Sequence, residues 1–101
     1  MYGFSERNIL EMNDIFSSIP NIAEVVLYGS RAKGNNRQAS DVDITLKGEN
    51  LTRRDLLELD DKLHYSYLPF FFDTSIFNEI TNKELIADIN KDGVTIYRKG
   101  F

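Results

Sequence analysis

The chain has 101 residues, 42% of them hydrophobic, and a formal net charge of −4, enough for one modest core and leaving no room for a second domain. It contains no cysteine and one histidine. Disulfides, thiolate chemistry and a zinc cluster are therefore excluded, and any metal would be bound through oxygen. No run approaches the ~18 apolar residues of a membrane span, and the opening MYGFSERNIL lacks the basic-then-apolar layout of a secretory signal, so the expectation is a cytoplasmic protein.

In chain order, SERNILEMNDIFSSI (5–19) spaces Ile9, Leu10, Met12, Ile15, Phe16 and Ile19 near the helical period, with Ser5 as N-cap, Glu6 in the first turn and Pro20 as the stop. AEVVLY (23–28) follows as a short β-branched strand that runs straight into Gly29. After GSRAKG (29–34) and a polar stretch comes DVDITLK (41–47). Its alternation puts Asp41, Asp43 and Thr45 on one face and Val42, Ile44 and Leu46 on the other. LTRRDLLELDDKL (51–63) is a second helix, with Thr52 and Asp55 in capping-box spacing and a stripe of Leu56, Leu59 and Leu63. LPFFFDTSIF (68–77) is a third strand, with Phe71, Asp73 and Ser75 on one face. TNKELIADINKDG (81–93) carries a capping box of Thr81 and Glu84, a stripe of Leu85, Ile86 and Ile89, and Gly93 as a C-terminal stop; VTIYRK (94–99) is the last strand. The expected fold is α+β, a small mixed sheet flanked by helices, with strand pairing left open.

Charge is unevenly distributed. Residues 28–54 hold six basic side chains against Asp41, Asp43 and Glu49, a local +3 that leaves −7 for the remainder of the chain. That pattern suits a small polyanion held through a metal, and there is no extended basic face for a nucleic-acid duplex.

Gly29, at the end of a strand and the start of a turn, lets a ligand approach the backbone where N–H groups point outward, and Ser30 adds a hydroxyl donor. A phosphate-loop lysine is missing, because Gly34 is followed by Asn35 and Asn36. Two carboxylates on one strand face, ~7 Å apart by strand rise, repel each other unless they grip hard cations. Asp73 completes the cluster if its strand lies beside 41–47. Three such carboxylates next to an anion-binding turn are the layout of two-metal phosphoryl transfer. His64 reads as a helix-end or surface residue. The run Phe70 to Phe72 reads as core, with one ring on the active face where it could floor a base pocket.

GSRAKG at 29–34 followed by SDVDI at 40–44 resembles the signature of the minimal nucleotidyltransferases, within the DNA polymerase β-like superfamily. The resemblance implies the palm-like nucleotidyltransferase fold in one domain, 1–101. It also implies nucleotide binding at Gly29, Ser30 and Arg31, and Asp41, Asp43 and Asp73 as catalytic residues that hold Mg²⁺ or Mn²⁺ with ATP as substrate. Larger relatives add domains that form the acceptor site, so here the expectation is that the site comes from a second chain or that the acceptor is itself a protein that docks against the metal face. Stand-alone members resemble the antitoxin half of toxin–antitoxin pairs whose helical HEPN-type partner they can adenylylate, which implies a hetero-oligomer. The contrasting expectation is a non-catalytic nucleotide-binding module that caps such a partner.

Overall fold

A computed structural model describes residues 2–34 and 41–100; Arg37 and Ser40, which belong to the basic cluster and the second motif, lie outside them. Helix α1 (Glu6–Ser17) begins at a reciprocal cap in which Ser5 Oγ accepts from the Asn8 N–H at 3.1 Å and Asn8 Oδ1 accepts from the Ser5 N–H at 2.9 Å. Helix α2 (Arg53–His64) starts in the same way, with Thr52 and Asp55 exchanging bonds of 3.2 and 3.0 Å. Helix α3 (Lys83–Asp92) departs from the expected Thr81–Glu84 box. Its N-cap is Asn82, whose Oδ1 accepts from the N–H groups of both Glu84 and Leu85. An amide oxygen one residue later satisfies two of the orphan donors of the first turn by itself.

The strands are β1 (Glu24–Tyr28), β2 (Val42–Lys47), β3 (Phe72–Ile76) and β4 (Val94–Arg98), with a 3₁₀ turn at Phe77–Glu79. They form one mixed sheet in the order β3-β2-β1-β4. β1 is antiparallel to both β2 and β4, whereas β2 and β3 are parallel. The short connection after β1 returns the chain alongside itself, and α2 supplies the crossover that a parallel pair requires.

One sheet face carries Val25, Leu27, Ile44 and Leu46, all fully buried against Met12 and Phe16 of α1 and Leu59 and Leu63 of α2. The opposite face carries Tyr28, Asp43, Thr45, Asp73 and Ser75. Helix α3 packs on this face at Val26 of β1. Its last turn presses close enough that a β-carbon on Gly93 would stand 2.8 Å from Val26 Cγ1 and 2.3 Å from the Ile89 carbonyl oxygen. Gly93 has φ −65°, so it ends the helix by leaving room for a neighbour and not by a left-handed cap. Among the described residues no helix is long and apolar enough to cross a membrane.

Candidate active site

The site is built on one rung of the sheet. Tyr28 of β1 lies opposite Asp43 of β2, and Asp43 lies opposite Asp73 of β3. Side chains directly opposite one another share a face, and neighbouring strands are about 4.8 Å apart, so the two carboxylates are brought side by side. Asp41, exposed and just before β2, is close enough to raise the Asp43 pKa through its charge. Burial, followed by the charges of Asp73 and Asp41, pushes the Asp43 carboxyl above its usual range.

The next rung is polar and quiet. Thr45, fully buried, accepts at Oγ1 from the Ser75 hydroxyl at 2.9 Å. The Tyr28 phenol has its pKa raised chiefly by burial, against a lowering by the Ser75 hydroxyl, and further by the charges of Asp43 and Asp73. Tyr28 is thus a member of the site that the sequence reading missed. Its only signal was its position before Gly29 on an alternating strand.

The turn from Gly29 to Gly34 closes through Lys33 N–H to Gly29 O (3.3 Å) and Gly34 N–H to Arg31 O (3.2 Å). Gly29 and Gly34 both have φ +77°, a region in which a β-carbon is strained. At Gly29 there is a second reason. A β-carbon there would stand 2.5 Å from Asp43 Oδ2, so glycine is what allows the carboxylate to pack against the turn. Within the chain, the group that a β-carbon at Gly29 would meet is Asp43.

Ser30 is exposed on this turn. Arg31 goes elsewhere. Only 1% exposed, it stacks its guanidinium over Phe4 (5.3 Å) and Phe70 (4.8 Å) and donates from Nη1 to the Tyr2 carbonyl at 3.1 Å. Its burial lowers its pKa but does not discharge a group of such high basicity. The side chain therefore clamps the N-terminal segment to the turn. Of the other basic residues between 28 and 54, Lys47 lies over the Phe77 ring and Arg53 pairs with Glu79. The turn's other basic residue, Lys33, is exposed and pairs with Asp88 of α3 at 3.0 Å.

Beside Asp73, along the outer edge of β3, opens a cleft of ≈ 380 Å³ lined by Asp60, His64, Phe70, Phe71, Phe72 and Thr74. Phe71 is 81% exposed, so it is the aromatic ring of the three that projects from the core. His64 ends α2 at this cleft, edge-to-face with Tyr65.

Among the described residues no three carboxylate or imidazole groups stand as a preformed ion site. None of the ion pairs described engages Asp41, Asp43 or Asp73. The donor set nonetheless fits a hard divalent cation: all-oxygen ligands, two of them adjacent, whose repulsion such an ion would reverse.

The family profile described as "Polymerase beta, Nucleotidyltransferase" matches residues 11–100. No curated protein matches the sequence. Among solved structures, the chain is similar to a toxin–antitoxin with AMP-PNP (TM-score 0.74, 21% identity, covering 92% of this chain and 75% of that one). It is also similar to the MntA-HepT toxin–antitoxin (TM-score 0.67, 20% identity, 93% and 73%). A third is the tri-AMPylated Shewanella oneidensis HEPN toxin in complex with MNT antitoxin (TM-score 0.61, 22% identity, 88% and 71%). At these identities the likeness speaks for the fold, a four-stranded mixed sheet with three helices. With the profile spanning nearly the whole sequence, the chain belongs to the polymerase beta nucleotidyltransferase family.

Proposed function

We propose that this chain is a metal-dependent nucleotidyltransferase of the minimal type, the antitoxin of a toxin–antitoxin pair, which moves AMP from ATP to a hydroxyl of a helical HEPN-type partner. The observation that carries the reading is the rung Asp43–Asp73 with the Gly29 turn packed directly against Asp43. It supports the reading because the Gly29 turn, whose backbone would bind anions, lies against one of two neighbouring carboxylates.

Asp41, Asp43 and Asp73 would hold Mg²⁺ or Mn²⁺, which when bound neutralises their repulsion, aligns the α-phosphate and acidifies the acceptor hydroxyl. The Gly29–Ser30 backbone and the Ser30 hydroxyl would bind the triphosphate. In the transfer, the acceptor oxygen attacks the α-phosphorus, the bond from that phosphorus to the bridging oxygen breaks, and pyrophosphate leaves; Asp73, on the edge strand, would take the hydroxyl proton. Because β3 has no further strand beyond it among the described residues, the acceptor would approach from that side, over the cleft at Phe71. The partner and the nucleotide are supported by the structures this fold resembles: a toxin–antitoxin with AMP-PNP, the MntA-HepT toxin–antitoxin, and a tri-AMPylated HEPN toxin in complex with MNT antitoxin.

The test is to incubate the chain with the HEPN-type protein of its own genome, Mg²⁺ and ATP, and to weigh the partner by intact mass spectrometry. The expected gain is one or more AMP units, abolished by Asp43→Asn. A tight complex that gains no nucleotide mass with any of the four triphosphates would favour a non-catalytic capping module instead.

A further inference from the structure

The turn that would bind phosphate has two basic side chains, and the fold commits one of them. Arg31 is stacked between Phe4 and Phe70. Lys33 stays at the surface, 39% exposed, and its ammonium is bonded to Asp88 Oδ1 at 3.0 Å; Asp88 is itself 36% exposed. Asp88 belongs to α3, which leans on the carboxylate face of the sheet through Ile89 and Gly93. The ion pair therefore ties the turn to α3, and it sets an anion against a basic side chain of the turn that would take the phosphates. The Lys33 backbone N–H closes the turn on Gly29 O, so its side chain can change partner without the turn opening.

We infer that Asp88 is a built-in competitor for the triphosphate: it holds Lys33 against α3 until phosphates displace it, so that nucleotide binding exchanges one ion pair for another and uncouples the turn from α3. This rests on the reading of the turn as a triphosphate site. The exchange is feasible because the pair is exposed, and exposed pairs are weak. A triphosphate offers more charge and several acceptor oxygens where the carboxylate offers one charge.

The experiment measures the affinity for α,β-methylene ATP with Mg²⁺ by calorimetry in four proteins: wild type, Asp88→Asn, Lys33→Met and the double variant. Both changed positions are at the surface, and a thermal midpoint for each protein confirms folding. Asp88→Asn should tighten binding about two- to fivefold, and Lys33→Met should weaken it roughly tenfold. In the Lys33→Met background, Asp88→Asn should change nothing. In parallel, the Lys33 Nζ resonance should shift on addition of nucleotide to wild type, away from its Asp88-paired position and toward its position in nucleotide-bound Asp88→Asn. Equal tightening by Asp88→Asn in both backgrounds would mean a general field effect and would overturn the exchange, as would a Lys33→Met affinity equal to wild type. Failure of the wild-type chain to bind the analogue would instead remove the triphosphate reading, and this inference with it.

Discussion

Replacing Gly29 by alanine perturbs two things at once, and the structure allows them to be separated. Gly29 and Gly34 have the same φ of +77°, so an alanine at either position costs about 1–2 kcal/mol for the left-handed backbone. A β-carbon at Gly34 meets no described atom within 4 Å, whereas at Gly29 it comes to 2.5 Å from Asp43 Oδ2. The carboxylate must rotate away, adding about 0.5–1.5 kcal/mol for a strained rotamer. Gly34→Ala should therefore lose about 1–2 kcal/mol and Gly29→Ala about 1.5–3.5 kcal/mol, which for a domain of this size separates their thermal midpoints by about 2–12 °C. The functional contrast should be larger. Gly34→Ala should keep Mn²⁺-dependent nucleotide binding, and Gly29→Ala should lose it, because Asp43 no longer stands where the metal needs it. Urea unfolding of both variants together with calorimetric titration makes the comparison. Equal destabilisation with binding intact in both would refute the claim that Gly29 exists to seat Asp43.

Arg31→Ala should cost about 2–4 kcal/mol of stability in denaturant unfolding, since it removes a desolvated cation from between two rings; normal stability with lost nucleotide binding would show instead that its charge serves the phosphates. Asp43, whose carboxyl is held above the ordinary range by burial and by Asp73 and Asp41, binds its proton more readily folded than unfolded. Stability therefore falls as pH rises from the ordinary carboxylate range through the raised one. Asp43→Asn should in consequence melt at or above the wild-type temperature at neutral pH without divalent ions, lose that advantage below the ordinary carboxylate range, and gain nothing from Mn²⁺, which should stabilise the wild type; a variant that melts well below wild type would contradict this. Gly93→Ala should destabilise by about 1–3 kcal/mol through overpacking against Val26 and the Ile89 carbonyl, and thermal unfolding at wild-type temperature would remove the packing argument.

The local elements were legible because their causes are local. Apolar spacing and the Ser5 and Thr52 caps act within one or two turns of chain, and the alternation that joins Asp73 to Ser75 follows from the pleat alone. The family signature likewise lies in one short stretch. Where two neighbouring residues could cap the same helix, as with Thr81 and Asn82, pattern could not choose, because the choice depends on which oxygen reaches two N–H groups. Only the tertiary structure decided that β3 lies parallel to β2 in the register that sets Asp73 beside Asp43. It likewise sent Arg31 into the aromatic clamp while Lys33 stayed on the surface with Asp88, and it made Gly93 a matter of room for Val26. Each of these depends on atoms distant in sequence competing for one volume or one charge. Periodicity tells which face a side chain is on, and packing tells what it meets there.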